Sequence, residues 1–569
     1  MKSGVRLCMA QINLTVGDFE GNRHKVLDGL SHARKGRADL VLFPELTLPG
    51  YPPEDLLFKK HFIAENLRVF RSLLPHTAGL AALIGFVDRD KRGCLYNTAA
   101  LVVNKKIAGV YHKIHLPNYG VFDEKRYFSP GARSPVLQFK DARVGLTICE
   151  DIWQSDSFVY SPECRGAFSL LLNISASPYH RDKQRQREAL LRRLALRNRC
   201  AVAYQNLVGG QDELVFDGGS LCMDARGRVL GRARSFSEDF LLVDVPLTPP
   251  TRPLRTAGVL QSVDWPSTLR RPGRKQALNK LKASPALSGE AEVYEALVMG
   301  TRDYLAKNGF KKAVIGVSGG IDSALVACIA ADAIGAENVL AATLPSPYTS
   351  KDTLDDAKLL AKNLGVACLE IPIHSIFSSF RNALKPVFKA LPENIAEENL
   401  QARIRGTLLM ALSNKLGHLV LATGNKSEMA TGYCTLYGDM AGGFAVIKDV
   451  PKTLVFKLAK YRNSRDAKAP IPITTLKRAP SAELRLNQTD QDTLPAYSVL
   501  DRFLEDYVEK EASLENIVRG GMEKKLATRM ARRVDLNEYK RRQAPPGIKI
   551  TPRAFGRDRR MPLTNRYSP

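Results

Sequence analysis

The stretch GVSGGIDSALV, Gly316–Val326, restricts the fold of this chain more than any other. KAVIGV before it reads as a strand and DSALVACIAADAIG after it as a helix, so Ser318, Gly319 and Gly320 join a strand end to a helix start. A parallel α/β sheet binds its ligands at such carboxyl ends. Small residues let the backbone approach an anion, and the helix start adds free N–H groups and the positive end of its dipole. The loop lacks the lysine of a Walker loop and carries Asp322. A carboxylate among phosphates repels them unless a divalent cation lies between, which points to magnesium. A bare SGG is most often a capped turn, whereas SGGIDS between a strand and a helix is much more specific.

Strand and helix patterns continue on both sides of the loop. AEVYEALVMGTRDYLAKNG reads as an amphipathic helix ended by Asn308 and Gly309. NVLAATL, VACLEIPI and HLVLAT read as strands, and SKDTLDDAKLLAKNLG and EENLQARIRGTLLMALSNKLG as the helices between them. That alternation implies right-handed βαβ units and a parallel sheet. The first 245 residues also alternate, with VRLCMAQINL, ADLVLFPE, AALIGFV, NTAALVVN, RVGLTICE, LLLNISAS and AVAYQNLVG as strands. Turns such as DARGRV suggest that some of these neighbours are antiparallel. Prolines among Arg, Ser and Thr break the pattern between Pro246 and Glu290, so we expect domains at 1–245 and 291–569 with a linker at 246–290.

A chain of 569 residues, 44% hydrophobic and 25% charged, suits a soluble protein of more than one domain. It has no apolar run of 18 residues, and Arg6 and Gln11 interrupt the first apolar stretch, which reads as a strand rather than a signal peptide. The nine cysteines form no CxxC pair, which argues against zinc and redox motifs and fits reduced thiols in the cytoplasm. The net charge of +26 raises the question of polyanionic partners. RDKQRQREALLRRLALRNR (181–199) reads as a solvated helix face, and the basic run 538–560 is denser.

In its setting, SGGIDS resembles the loop of the ATP pyrophosphatase family, whose members cleave ATP between the α and β phosphates and cradle pyrophosphate there. LPSPYTS (344–350), ENLQARIRG (398–406), ATGNKSEMATGYCTLYGDMAGGFAVIKDVPKT (422–453) and EYKRRQAPPG (538–547) are similar to NAD synthetases. The resemblance implies a Rossmann-like parallel-sheet domain. It places Gly316, Val317, Ser318, Gly319, Gly320, Ile321, Asp322 and Ser323 on ATP and its pyrophosphate, with Thr423 also on ATP. It implies Asp322 and Glu428 as magnesium ligands, and Asn399, Glu428, Asp439, Lys452 and Lys540 on deamido-NAD. These residue types suit the roles: carboxylates for a hard cation, Lys for phosphate charge, Asn for orientation. Taken singly, Glu428 reads as a helix carboxylate, Lys452 as a surface lysine and Lys540 as part of a basic tail.

RVGLTICEDIW is a strand running into a polar turn at Cys149. A lone cysteine is more often a small core residue than a nucleophile. A nucleophile needs a base and a group that stabilises the oxyanion. Glu45, at the end of DLVLFPE, could take the thiol proton, and Lys113, in VYHKIHLPNYGVFDEKRYF, would favour the thiolate and the oxyanion. His112 and His115 flank Lys113, so a Cys–His pair stays open, although strand alternation is expected to turn both away. FPE, the lysine before FDE and CEDIW resemble the Glu–Lys–Cys arrangement of the nitrilase superfamily, over about residues 4–245. NISASPY (173–179) and NLVGGQDELVFDGGS (206–220) are similar to the glutaminase domain of glutamine-dependent NAD synthetases. The resemblance implies an α-β-β-α sandwich with Glu45 as general base, Lys113 as oxyanion stabiliser and Cys149 as nucleophile. It places Tyr119, Ser177 and Lys183 on glutamine and Glu124 as a second carboxylate beside the three.

Together the two resemblances imply an enzyme that adenylates deamido-NAD with ATP and amidates it with ammonia drawn from glutamine through an internal tunnel. They imply Mg2+ with ATP as co-substrate, no permanently bound organic cofactor, and a homo-oligomer with dimerised synthetase domains. No nucleic-acid or membrane partner is expected. One rival is another ATP pyrophosphatase amidotransferase such as a GMP synthetase, whose Cys–His–Glu pattern is not found. The other is an RNA-binding protein, for which the chain shows neither CxxC pairs nor an RNP-type aromatic motif.

Overall fold

The computed structural model describes residues 4–132, 136–139, 142–252, 283–389, 391–485 and 488–567. Most of the expected linker, 253–282, lies outside the described residues. The chain divides into two compact units, Met1–Gln211 with Val215–Leu287, and Asp212–Leu214 with Ser288–Pro569.

The first unit holds two six-stranded sheets. One has the order β14-β1-β2-β3-β4-β5, from β1 (Gly4–Gln11), β2 (Leu40–Leu42), β3 (Ala81–Arg89), β4 (Leu95–Val103), β5 (Lys106–His112) and β14 (Asp239–Pro246). The other has the order β13-β12-β9-β8-β7-β6, from β6 (Val136–Phe139), β7 (Ala142–Ile148), β8 (Leu170–Ser175), β9 (Ala201–Asn206), β12 (Leu221–Met223) and β13 (Val229–Arg232). A further pair, β10 (Val208–Gln211) and β11 (Leu214–Asp217), stands apart. Alternation along the strands sets the layers. Val5, Leu7 and Met9 of β1 share one core cluster with Leu146, Ile148 and Leu172 of the other sheet. The opposite face of the first sheet carries α1 (Phe19–Lys35) and α2 (Lys60–Leu73). On the second sheet, Leu190, Leu191 and Leu194 of α3 (Lys183–Asn198) pack on Leu171, Val202 and Tyr204. Each buried leucine there contributes about 2 kcal/mol. The result is the expected α-β-β-α sandwich, and the turn in DARGRV is the β12–β13 hairpin.

The second unit is built on a five-stranded sheet, all parallel, with the order β17-β16-β15-β18-β19. Its strands are β15 (Ala313–Gly316), β16 (Val339–Thr343), β17 (Ala367–Glu370), β18 (Leu419–Ala422) and β19 (Phe444–Ala445). Its helices include α4 (Gly289–Lys307), α5 (Ile321–Ile334), α6 (Lys351–Leu364), α7 (His374–Phe388), α8 (Ile395–Leu416), α9 (Lys426–Thr431), α10 (Lys452–Arg465), α11 (Ile473–Lys477) and α12 (Tyr497–Leu504). The order turns back between β15 and β18, which is where such a sheet opens a crevice at its carboxyl edge. The SGGIDS loop follows β15 at that point. α4 is buried over most of its surface, with Glu292 and Asp303 included, so it is an interior helix rather than an amphipathic one. Among the described residues no helix is long and apolar enough to cross a membrane.

One glycine of the first sheet is required by a close approach. A Cβ on Gly85 of β3 would lie 2.4 Å from the Pro44 carbonyl oxygen and 2.6 Å from the Leu46 nitrogen, against the loop that carries Glu45. Gly85→Ala should therefore lower the unfolding free energy by about 1–3 kcal/mol in urea titrations followed by circular dichroism. An unchanged midpoint would contradict this packing.

Candidate functional site

Each unit gathers its motif residues into one buried cluster. In the first, the chain leaves β7 at Ile148 and turns into a single 3-10 turn, Cys149–Ile152. Cys149 has φ 41°, a left-handed conformation unusual for a residue with a side chain. Asp151 holds the turn. Its Oδ2 accepts from the Ile148 N–H at 2.8 Å and from the Tyr111 hydroxyl at 2.7 Å, and its Oδ1 accepts from the His115 N–H at 2.9 Å.

Glu45, fully buried, sits on the loop after β2. Its Oε1 accepts from Lys113 Nζ at 2.7 Å and Asn97 Nδ2 at 2.7 Å, and its Oε2 from the Ala176 N–H at 2.9 Å. Lys113 follows β5 and donates also to Glu124 Oε1 at 2.8 Å, to which the Tyr51 hydroxyl donates at 3.0 Å. Burial raises the Cys149 thiol well above its ordinary value, with Glu45 adding to the rise and Lys113 opposing it. Lys113 thus pulls toward thiolate as expected but is outweighed. Burial pushes Glu124 up to about 7 against the pull of Lys113, and Glu45 adds to the rise. Burial also works against the charge of Lys113, but Glu124 and Glu45 overcome it and hold the ammonium protonated.

The histidine rival loses His112. His112 Nε2 lies 3.1 Å from Asp88 Oδ2 and its ring stacks on Tyr96. The alternation argument covers His112 alone, because His115 lies two residues beyond Lys113. β5 ends at His112, so alternation does not place His115, whose Nδ1 lies 3.8 Å from Asp156. Of the expected glutamine residues, Ser177 is buried and donates its N–H to Asn206 Oδ1 at 3.0 Å. Tyr119 is 56% exposed and donates its hydroxyl to Glu150. Lys183 Nζ lies 3.9 Å from the centre of the Trp153 ring. Burial, then Arg187, lowers Lys183 to about 8, while Cys149 and Glu150 oppose the fall, so it lies within electrostatic reach of the thiol. The solvated-face reading of 181–199 fails at Arg187, which is 1% exposed and ion-paired with Asp217 at 3.0 Å. One arginine among many carried no signal of this in the sequence.

In the second unit a single cavity is lined by Gly316, Val317, Ser318, Gly320, Ile321, Asp322, Ser323, Thr423, Glu428, Asp439 and Lys452. The loop is tied by its own serines: the Ser318 N–H donates to Ser323 Oγ at 3.2 Å, and Ser323 Oγ to the Gly320 carbonyl at 3.0 Å. Gly319 has φ 86°, and a Cβ there would lie 2.1 Å from the Thr353 carbonyl oxygen. Its own carbonyl faces Thr475 and Arg478. Asp322 accepts from Asn425 Nδ2 at 2.9 Å and from Lys452 Nζ at 2.5 Å, and Lys452 Nζ also lies 3.3 Å from Glu428. Burial pushes Glu428 up to about 8; Lys452 opposes, and the charges of Asp322 and Asp490 add to the rise.

Asn399 and Lys540 are outside the cavity lining. Asn399 Oδ1 accepts from Thr435 Oγ1 at 2.7 Å, while the Thr435 N–H donates to Asp439 at 2.7 Å, so Asn399 and Asp439 meet at one threonine. Lys540 Nζ donates to the Gly432 and Cys434 carbonyls at 2.8 and 2.9 Å, holding the segment ahead of Thr435. Residue-by-residue reading missed Arg405, Arg478 and Glu483, which also line the cavity. Burial lowers Arg405 to about 10, opposed by Glu483 and Asp439. Arg405 stands inside the quoted ENLQARIRG, whereas Arg478 and Glu483 lie in a stretch with no strand or helix pattern to mark it.

Residues 6–249 match the family model of carbon-nitrogen hydrolases and residues 293–544 that of NAD synthase. The chain is 48% identical to a glutamine-dependent NAD(+) synthetase of Thermotoga maritima, over 99% of both chains. It is 44% identical to one of Aquifex aeolicus, over 99% of this chain and all of the relative. The solved structure of a glutamine-dependent NAD+ synthetase from Acinetobacter baumannii, in complex with ADP, is 40% identical, with TM-score 0.76 over 99% of this chain and 98% of that one.

The electrostatics of Cys149 make a prediction of definite sign. Lys113 lowers the thiol pKa, so Lys113→Met should raise it further and slow alkylation of Cys149 by iodoacetamide severalfold at pH 7. Peptide mass spectrometry would read the rate; faster labelling would contradict the electrostatic placement.

Proposed function

The chain belongs to the glutamine-dependent NAD(+) synthetase family, and from that premise we propose that it amidates deamido-NAD to NAD+ with ATP, using ammonia released from L-glutamine by its first domain. We place the glutaminase at 1–245 and the synthetase at 291–569. The observation that carries the reading is the pair of buried clusters in one chain: Cys149 within electrostatic range of the paired Glu45 and Lys113, and the SGGIDS loop in contact with Lys452 beside Glu428.

In the first step Cys149 Sγ attacks the glutamine side-chain carbonyl carbon, and Glu45 takes the thiol proton. Lys113 stabilises the oxyanion. Collapse of the tetrahedral species breaks the C–N bond, and Glu45 returns its proton to the leaving ammonia. Water then cleaves the thioester to glutamate. Lys183, Ser177, Tyr119 and Glu124 hold the substrate or the triad.

In the second step the loop residues from Gly316 to Ser323, with Thr423, hold ATP. The deamido-NAD carboxylate attacks the α phosphate, pyrophosphate leaves, and ammonia displaces AMP from the adenylate. Asn399, Glu428, Asp439, Lys452 and Lys540 hold deamido-NAD, and Lys452 also meets the phosphates. Asp322 and Glu428 fit Mg2+: both are hard oxygen donors, and with Asp490 they outnumber the single ammonium beside them. The cation would neutralise charge on the leaving pyrophosphate. Among the described residues no cluster of three or more His, Cys, Asp or Glu could hold a metal, so phosphate oxygens would complete the shell. Ammonia is mostly ammonium at neutral pH and then unreactive, so a water-poor tunnel would carry it between the sites. Exposed Val387, Leu391 and Ile395 around α7 and α8 support dimerised synthetase domains in a homo-oligomer.

Product analysis with deamido-NAD, ATP and Mg2+ tests the scheme. Cys149→Ala should lose glutamine-driven NAD+ formation by about a thousandfold or more and keep the ammonium-driven reaction. Asp322→Asn should lose both. Glutamine-driven synthesis by Cys149→Ala would sink the proposal.

A further inference from the structure

A closed ring of hydrogen bonds joins the backbones that carry Glu428 and Lys452. The Lys452 N–H donates to Ser427 Oγ at 2.9 Å, and Ser427 Oγ donates to Asp501 Oδ1 at 2.5 Å. The Thr453 N–H donates to Asp501 Oδ2 at 2.8 Å, which closes the ring. Ser427 is fully buried and Asp501 is 8% exposed. Neither lines the cavity.

The arrangement has a definite mechanical effect. α10 begins after Pro451, which supplies no side-chain cap, so Asp501 of α12 caps it from outside and meets the positive end of its dipole. The same carboxylate fixes Ser427, the residue before Glu428, in the first turn of α9. One side chain therefore sets the spacing of two helix starts. From those starts Glu428 and Lys452 reach toward each other, 3.3 Å apart, with Lys452 also on Asp322. Tyr497, one turn earlier on α12, adds a second restraint: its ring centre lies 5.4 Å from Lys452 Nζ and its hydroxyl donates to Asp490 at 2.7 Å. Two donors converge on two carboxylate oxygens. An asparagine offers one acceptor and turns an NH2 group toward the other donor.

We infer that Asp501, acting through Ser427, is a positioning residue for the ATP-dependent step, holding Glu428 and Lys452 in the register that meets pyrophosphate. This rests on the reading of the second site proposed above. The test uses the full-length protein and the variants Asp501→Asn, Ser427→Ala and both together. NAD+ formation is measured with ammonium chloride as nitrogen donor, pyrophosphate binding by calorimetry with Mg2+ present, and glutamine hydrolysis as the internal control. In Asp501→Asn the ammonium-driven kcat should fall about tenfold and the pyrophosphate Kd should rise severalfold. The rate of glutamine hydrolysis should stay within about twofold, which a general loss of folding would not allow. Ser427→Ala should show the same split, and the double variant should be no worse than Asp501→Asn alone, because the two act as one unit. Retention of both kcat and pyrophosphate affinity in either variant, or losses that multiply in the double variant, would overturn the inference. Should Asp501→Asn fail to fold, Ser427→Ala decides by the same criteria. A wild-type protein that makes no NAD+ from ammonium and binds no pyrophosphate would instead overturn the reading of the site itself.

Discussion

A lysine ammonium buried between two carboxylates organises each of the two sites. Lys113 lies between Glu45 and Glu124, and Lys452 between Asp322 and Glu428. Desolvating such a group costs several kcal/mol per ion, and removing one partner from a formed cluster costs about 3–5 kcal/mol. These clusters hold only while the surrounding backbone keeps the charges in contact. A third cluster shows what sets the two apart. Lys426 is buried against Asp449 and Glu509, but its remaining capacity goes to Thr551 Oγ1 and the Arg553 carbonyl. That lysine is saturated and ties the C-terminal segment to α9. Lys113 and Lys452 each donate to two carboxylates among the described residues and retain a third N–H. In the function proposed above, such an ammonium beside Cys149 or the SGGIDS loop would meet the substrate.

Much of the adjoining architecture maintains those contacts. Gly85 lets β3 press on the loop of Glu45, and Asp151 holds the Cys149 turn in its left-handed conformation through two N–H groups and one hydroxyl. In the second unit Gly319 lets the phosphate loop pass against the Thr353 carbonyl, and the Asp501 ring sets the spacing of α9 and α10. The strain at Cys149 and the buried charge at both sites oppose stability locally; the two-sheet core and the parallel sheet offset it.

The motifs of both sites were readable because each sits at a strand end, where pattern and chemistry coincide. DLVLFPE, VYHK and RVGLTIC end in Glu45, Lys113 and Cys149. Less was readable where neighbours rather than local pattern decide. β14 runs through Asp239–Pro246 as the edge strand beside β1, a pairing across more than 200 residues that no local turn announces. Arg187 looks like its exposed neighbours until the helix phase and Asp217 bury it. Arg478 and Glu483 reach the cavity from a segment without periodicity, and Lys540 reaches backbone carbonyls rather than the cavity.

By itself the sequence determined the two-domain α/β plan and singled out the side chains proposed to react. Both follow from periodicity, glycine placement and residue chemistry within short windows. Tertiary structure decided their charge states and their register. The thiol pKa of Cys149 is raised because burial and Glu45 outweigh Lys113, and that balance exists only once the strand ends are packed together. Glu428 and Lys452 face each other because Ser427 and Asp501, 74 residues apart in the chain, share one hydrogen bond in the core. Desolvation and long-range contact are properties of the assembled chain, and a linear pattern does not carry them.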